Sequence, residues 1–163
     1  MSTPTTYAFT TKSTGGLMNK LTNQVTISYN GKRTVALALW DTGATGTCIS
    51  TDVARALSMI PTGKKNIQTP SGTSQVNTYL IDVTLPNNVN VSNVEVCDSE
   101  IGNQGIGILI GMDIITSGDF SVSNYNSQTI FTFRIPSRKA IDFVKECDLE
   151  RLIGSHGKGK RKH

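Results

Sequence analysis

The sequence has few of the residues on which common catalytic sites depend. Both histidines, His156 and His163, lie in the last ten residues, so the body of the chain has none. Ser/His and Cys/His nucleophilic sites and histidine-based metal sites are therefore disfavoured unless the tail folds back. The three cysteines, Cys48, Cys97 and Cys147, are odd in number, widely spaced and form no CxxC pair. This spacing indicates reduced thiols rather than a zinc site or a disulfide framework.

Long apolar runs are also missing. No stretch of the 163 residues approaches the about 20 apolar residues that a membrane-spanning helix needs. The opening segment, MSTPTTYAFT, is too polar for a secretory signal. We therefore expect a protein that does not enter a membrane and is made and kept in the cytoplasm. The length favours one domain with tails over two domains.

The net charge of +4 comes from the end of the chain. The last ten residues, GSHGKGKRKH, contain Lys158, Lys160, Arg161 and Lys162 and no acid, so the rest of the chain carries 12 basic and 12 acidic residues. We interpret residues 154–163 as a basic, disordered tail of the kind that is usually solvated. The alternative is a weak anionic partner, such as a nucleic acid, held by these four basic side chains.

The residue pattern predicts a mostly β domain over residues 21–136. Short runs such as NQVTISY and RTVALALW alternate with Asn and Gly turn signals, and the Asn30-Gly31 pair between these two runs is typical of a hairpin. In TYLIDVTL, every second residue from Tyr79 to Leu85 is apolar, which predicts a strand with one buried face. The expected fold class is all-β, as a small closed barrel or sandwich.

Three other segments complete the expected organisation. Residues 1–20 are rich in Thr, Ser, Gly and Lys and are predicted to form a loose N-terminal arm. Ser50 is expected to cap a short helix in TDVARALSM. Apolar residues after position 140 recur at roughly helical spacing. They predict a C-terminal helix over residues 137–153 that packs on the body of the protein.

The segment LWDTGATGTCIS, residues 39–50, places a carboxylate at the end of an apolar, strand-like run. A carboxylate in this position is destabilising unless something holds it, because burial disfavours the ionised form. Asp41 is therefore either a cap or turn residue, or it is held there for chemistry. The small residues that follow allow the backbone to turn sharply and to approach another chain or a ligand closely.

This segment resembles the catalytic loop of the retropepsin-like aspartic proteases. Asp41, Thr42 and Gly43 match the catalytic triplet of that family, and Ala44 matches the small residue that usually follows it. An Asp-Thr-Gly triplet alone also suits ordinary turns and nucleotide-binding loops, so a second landmark is needed.

The second landmark is ILIGMDII. Leu109, Ile110 and Gly111 resemble the apolar-then-glycine strand that packs behind the catalytic loop in this family, and a short helix is expected to follow. Retroviral members often carry Arg after that glycine, whereas this chain has Met112 and Asp113. The sequence is in this respect closer to retrotransposon, cellular or bacterial members, and the dimer contact of that arginine is not implied.

The family resemblance also predicts a flap. Gly111 lies 70 residues after Asp41, which leaves room for a flap hairpin between the two landmarks. The segment QTPSGTSQ has strand-like runs on both sides, and Ser71, Gly72 and Thr73 lie at its centre, where the flap tip is expected. The three landmarks together cover about residues 20–135.

The resemblance implies an aspartic endopeptidase that needs no cofactor or metal. Aspartic proteolysis requires two carboxylates around one water, one ionised and one protonated. The chain contains a single Asp-Thr-Gly and no second aspartate before Thr-Gly or Ser-Gly. The implied enzyme is therefore a homodimer in which each subunit contributes Asp41 and which cuts an extended peptide or protein substrate.

Other interpretations stay open at this point. The domain could be a catalytically silent, dimerising β-domain that binds a peptide or protein, or an accessory protein that works through its basic tail. Trp40 either packs under the loop or lines the wall of the site. Cys48 is expected to be a small buried hydrophobe, and Asp113 a structural residue at the start of a helix.

Overall fold

The computed structural model describes residues 5–69 and 72–157, and this part of the chain is mostly strand. Its ten strands are β1 (Tyr7–Lys12), β2 (Thr22–Tyr29), β3 (Lys32–Trp40), β4 (Cys48–Ser50), β5 (Gly63–Thr69), β6 (Gly72–Thr84), β7 (Asn90–Ser99), β8 (Ile108–Ile110), β9 (Asp119–Ser123) and β10 (Ile130–Ile135). Its three α-helices are α1 (Thr51–Ala56), α2 (Met112–Ile115) and α3 (Phe143–Gly157). Two short 3₁₀ turns span Gly102–Gln104 and Tyr125–Ser127.

Six of these strands close into a barrel. Hydrogen bonds join them in the order β2, β3, β8, β4, β7, β6, and β6 pairs back with β2. Strand β5 lies outside the closed set and forms an antiparallel hairpin with the first half of the long strand β6. Closure pairs the edge strands with each other, which removes the exposed edges of an open sheet. The arrangement confirms the predicted all-β barrel.

Local sequence patterns account for the barrel strands. Ile81 and Val83 of β6 are at most 2% exposed, whereas Leu80 is 45% exposed, as the alternating pattern predicts. The hairpin that joins β2 to β3 turns at Asn30 and Gly31, whose φ angles are 45° and 77°. Positive φ at both positions is the conformation that an Asn-Gly hairpin requires. These features depend only on neighbouring residues, and the sequence predicted them correctly.

A second sheet, in the order β1, β10, β9, packs its aromatic side chains against the barrel. Phe9 of β1 is 8% exposed, and its ring centroid lies 5.4 Å from that of Trp40 and 6.2 Å from that of Phe133. The prediction of a loose N-terminal arm is therefore wrong for residues 7–12. Their partner strand β10 lies more than a hundred residues away, and burial of Phe9 stabilises a pairing that the polar local composition conceals.

Side-chain caps fix where two helices begin. The Ser50 hydroxyl accepts a hydrogen bond from the Val53 N–H at 3.2 Å, which is the predicted cap of α1. Asp142 performs the same function for α3, because its Oδ1 accepts hydrogen bonds from the N–H groups of Val144 and Lys145 at 3.1 and 3.3 Å. Within the described residues, no helix is long and apolar enough to cross a membrane.

The C-terminal helix differs from its prediction over residues 137–153. It begins at Phe143, because Ser137 and the Arg138 N–H bind the Asp119 carboxylate and hold the preceding segment in a non-helical conformation. The expectation that it packs on the body is also wrong, because its large apolar side chains are each more than half exposed: Phe143, Val144, Leu149, Leu152 and Ile153. The predicted basic tail residues Lys158, Lys160, Arg161 and Lys162 lie outside the described residues.

Candidate active site

Asp41 lies at the first position after strand β3, where the chain leaves the barrel wall. Its backbone N–H donates to the Ile110 carbonyl at 3.0 Å, which ties the loop to strand β8. Its carboxylate Oδ1 accepts a hydrogen bond from the Gly43 N–H at 2.8 Å, and the Ala44 N–H donates to the Asp41 carbonyl at 3.3 Å. Asp41 as a whole residue is half-buried. These contacts fold the Asp-Thr-Gly segment into a tight turn that holds the carboxylate at its tip.

Gly111 lies directly behind this turn. A Cβ atom at this position would lie 2.6 Å from both the carbonyl carbon and the carbonyl oxygen of Gly46, a separation that only glycine permits. The Gly111 N–H donates to the Thr47 hydroxyl at 3.1 Å, and the next N–H, that of Met112, donates to the Ala44 carbonyl at 2.8 Å. The structure thus brings the two sequence landmarks together, with Ile110 and Gly111 supporting the loop from below.

Thr47 and Asp113 form a polar contact that sequence reasoning missed. The Asp113 carboxylate accepts the Thr47 N–H at 2.9 Å and the Thr47 hydroxyl at 2.7 Å. Thr47 is 1% exposed, so both of its polar groups depend on this carboxylate. Asp113 is therefore structural, as expected, but it also fixes the far end of the catalytic loop. The sequence signal that could have predicted this contact is an acidic residue, Asp113, in the first turn of a short helix, together with a threonine, Thr47, in the loop.

Trp40 packs under the site and does not line its wall. The side chain is 3% exposed, its ring stacks on Phe120 with centroids 5.5 Å apart, and its indole N–H donates to the Asn23 Oδ1 at 3.0 Å. This placement decides between the two positions that the sequence left open. The residue before Asp41 therefore anchors the catalytic loop in the aromatic core.

The β5–β6 hairpin stands where the flap is expected. Thr69 and Gly72 are the last paired residues before the tip, and Gly72 has a φ of 117°. The Thr73 hydroxyl donates to the Gln68 side chain at 3.2 Å. Ser71, the remaining predicted flap residue, lies outside the described residues.

A cavity of about 660 Å³ separates the flap from the catalytic loop. Its lining comes from residues 43–48 of the loop, residues 65–68 of β5, Cys97 and Leu109. Of the predicted site residues, the structure places Gly43, Ala44 and Leu109 in this lining and Thr42 on the exposed outer side of the loop. Asp41 and Thr42 are not part of this lining, which begins two residues after Asp41, at Gly43.

Two thiols share this cavity wall. Cys48 of β4 and Cys97 of β7 are register partners. Hydrogen bonding to Cys97, together with burial, raises the pKa of Cys48, although Cys48 is half-buried rather than fully buried as the sequence predicted. The same hydrogen bond lowers the pKa of Cys97 to about 7, and the Lys65 charge acts in the same direction. Within residues 5–69 and 72–157, no group of three His, Cys, Asp or Glu side chains could hold a metal ion.

Similarity to known proteins agrees with this geometry. The family described as gag-polyprotein putative aspartyl protease matches residues 25–117, which include the Asp41 loop, the β5–β6 hairpin and the Gly111 strand. No curated protein sequence matched the chain. A retropepsin-like aspartic protease from Rickettsia conorii superposes with a TM-score of 0.52 at 15% identity, over 83% of this chain and 99% of that one, and therefore shares the fold.

Two viral proteases align over a smaller share of the chain. Simian foamy virus (mac) protease gives a TM-score of 0.42 at 26% identity over 57% of this chain and 89% of its own. EIAV protease, solved with the inhibitor HBY-793, gives a TM-score of 0.47 at 20% identity over 63% of this chain and 91% of its own. Because the family match spans more than half of the residues, the chain belongs to the gag-polyprotein aspartyl protease family and has the retropepsin-like fold.

Proposed function

We propose that the protein is a homodimeric aspartic endopeptidase in which Asp41 of each of two subunits activates one water molecule. The observation that carries this proposal is the Asp41 carboxylate itself, held at the tip of a hydrogen-bonded turn whose following residues, from Gly43 on, line an open cavity. A cap or turn residue does not require the Gly111 and Thr47 contacts that fix this loop from behind.

The chemistry needs two carboxylates at one water. The ionised carboxylate removes a proton from the water, whose oxygen attacks the scissile carbonyl carbon, while the protonated carboxylate donates a hydrogen bond to the carbonyl oxygen. The tetrahedral intermediate then collapses, the C–N bond breaks, and the nitrogen takes up a proton as it leaves. Two carboxyl groups about 3 Å apart share one proton readily, because ionising both is unfavourable.

A two-fold dimer supplies the second carboxylate. The sequence holds one Asp-Thr-Gly segment, and a two-fold axis between two copies of this loop places two Asp41 side chains face to face. Thr42 is exposed, and its hydroxyl has no hydrogen-bond partner in the part of the chain that the structure describes. In the proposed dimer, this hydroxyl bonds to the loop of the other subunit and holds the two carboxylates together.

The substrate is an extended, fairly apolar peptide that lies between the loop and the flap. Strand β5 is the outermost strand of its sheet, so one of its edges is free of strand partners within the described residues. A peptide can add to such an edge through backbone hydrogen bonds, while its side chains enter the cavity below. The half-buried Leu109 and Ile67 offer apolar contacts in that cavity.

The proposal is tested with the purified full chain and a random peptide library. Wild-type protein should produce cleavage products that mass spectrometry detects, and pepstatin, which carries a transition-state hydroxyl, should suppress them. Asp41→Asn should remove the products, because it keeps the shape of the side chain and deletes the shared proton and charge. Asp148→Asn, at an exposed position on α3, is the matched control and should cleave normally.

The outcome also separates the two leading functions. Turnover by Asp41→Asn at the wild-type rate would show that the carboxylate is not catalytic. Saturable peptide binding without cleavage by the wild type would favour the catalytically silent, dimerising domain. Circular dichroism and sedimentation of each variant check that a lost activity is not a lost fold.

A further inference from the structure

Cys48 and Cys97 lie side by side on neighbouring strands. Strand β4 pairs in parallel with β7, and these two residues are directly opposite each other in the register. Paired strands are about 4.8 Å apart, and opposite residues project to the same face. This spacing falls within the about 4.4–6.8 Å between Cα atoms that a disulfide requires.

The pair is accessible from the cavity between the catalytic loop and the flap. Both residues contribute to the lining of this space of about 660 Å³, although Cys97 is only 8% exposed and Cys48 is half-buried. Lys65 of β5 lies in the same lining. A small anionic or zwitterionic molecule that enters the cavity therefore meets a positive charge beside two thiols.

We propose that Cys48 and Cys97 form a thiol-oxidation site, which a small-molecule disulfide such as oxidised glutathione converts into a disulfide between β4 and β7. This inference goes beyond the proposed peptidase function and does not depend on it. The third cysteine, Cys147, is exposed on α3 and plays no part in the site.

The two thiols have different roles in the exchange. The hydrogen bond from Cys48, aided by the Lys65 charge, lowers the pKa of Cys97 to about 7, so a large part of Cys97 is thiolate at neutral pH. Thiolate, rather than thiol, attacks a disulfide. Cys97 is therefore the first nucleophile, and Cys48, whose pKa is raised, closes the bridge.

The reaction balances in two steps. The Cys97 thiolate attacks one sulfur of oxidised glutathione, which forms a mixed disulfide and releases one glutathione thiolate. Cys48 then loses its proton and attacks the Cys97 sulfur, which forms the Cys48–Cys97 bond and releases the second glutathione. The protein loses two protons and two electrons, and one oxidised glutathione takes them up to become two reduced molecules.

The bridge would act on the catalytic loop. Cys48 follows Thr47 directly, and Thr47 holds both Gly111 and Asp113. A covalent link from this position to β7 fixes one wall of the cavity, and the mixed-disulfide intermediate fills the cavity itself. Excess reduced glutathione should reverse both states.

The test uses the full chain in its native state and oxidised glutathione as the probe. After incubation, free thiols are blocked under denaturing conditions and the protein is digested with trypsin without a reductant. The expected product joins peptide 34–55, which contains Cys48, to peptide 66–134, which contains Cys97. Peptide 146–151 carries Cys147 separately, so its modification is measured in the same digest.

Three variants test the part that each cysteine plays in the cross-link. Cys147→Ser should form the cross-link as the wild type does. Cys48→Ser and Cys97→Ser should each form no cross-link and stop at a glutathione adduct on the remaining thiol of the pair, because the thiol that closes the bridge is gone. If a variant does not fold, the wild-type digest still decides the question.

Two results would overturn the proposal. One is glutathione on Cys147 while Cys48 and Cys97 remain free, since it shows that the probe was competent and the pair was not. The other is a stable Cys97 adduct in the wild type with no cross-link to Cys48. In the first case the two thiols serve only as small apolar side chains, and in the second Cys97 reacts alone without forming the bridge.

Discussion

Asp113 accepts hydrogen bonds from both polar groups of Thr47, at 2.9 Å from the N–H and 2.7 Å from the hydroxyl, although 66 positions separate the two residues. This contact joins the start of α2 to the end of the catalytic loop. The contact restricts the movement of the loop, because the Gly111 N–H also donates to the same Thr47 hydroxyl. The rigidity of the Asp41 turn therefore depends on a carboxylate that is itself not part of the proposed chemistry.

Replacing Asp113 with Ala should destabilise the protein by about 1–3 kcal/mol, because it leaves the buried polar groups of Thr47 unpaired. Urea denaturation at neutral pH measures the change. Thr47→Val keeps the side-chain shape and removes the hydroxyl, so the double variant should lose less than the sum of the two single losses. Strict additivity of the two changes would show that the contact contributes nothing.

Gly111→Ala should impair folding, whereas Gly46→Ala should have little effect on stability. A Cβ at position 111 would lie 2.6 Å from the Gly46 backbone, which must then shift, and overpacking of this kind costs about 1–3 kcal/mol or more. A Cβ at position 46 meets no atom within 4 Å. The two midpoints in the same urea titration test this directly. Equal losses would mean that the close approach of the two segments is not needed.

Peptidase activity should depend on self-association. Specific activity should fall on dilution below the dimer dissociation constant, and sedimentation over the same concentrations should show the monomer appear. After subunit exchange with a fourfold excess of Asp41→Asn protein, the activity per wild-type subunit should drop to about one fifth, because mixed dimers carry half a site. Thr42→Ala should lower activity without removing the carboxylates. Full activity from a demonstrated monomer would exclude the shared site.

Asp119 should make stability sensitive to acid. Hydrogen bonds from the Ser137 hydroxyl, the Arg138 N–H and the Arg134 guanidinium hold the pKa of Asp119 well below its usual value of 3.8. A lowered folded-state pKa contributes stability that is complete above the unfolded value and is lost as the pH falls toward the folded one. The free energy of unfolding should therefore decline below about pH 5.

The variants for this prediction follow from the same contacts. Asp119→Asn should be less stable than the wild type at pH 7. Its free energy of unfolding should also fall less than that of the wild type as the pH is lowered. Ser137→Ala, which removes the contact with the largest effect on the pKa, should give an intermediate slope. If the free energy of unfolding changes with pH in parallel for all three proteins, Asp119 has the same pKa in the folded and unfolded states.

The sequence by itself determined the features that neighbouring residues control. The alternation around Ile81 and Val83, the Asn30-Gly31 turn and the Ser50 cap each depend on contacts within a few positions, and all three appear as predicted. The all-β class follows from the same local patterns. The Asp41 loop and the Gly111 strand could be named in advance from their resemblance to the retropepsin-like family, and the close approach of Gly111 to the Gly46 backbone explains why glycine stands there.

Only the tertiary structure decided what distant segments do together. It paired residues 7–12 with β10, set Asp113 against Thr47, placed Trp40 under the loop, and brought Cys48 beside Cys97. It also left the apolar side chains of α3 exposed, although their spacing suggested a packed helix. These contacts depend on the register of the strand pairs and on the closure of the barrel, and all of the strands together determine both. No local pattern specifies which distant residue becomes a partner, because that choice depends on the burial and hydrogen bonds of the complete barrel.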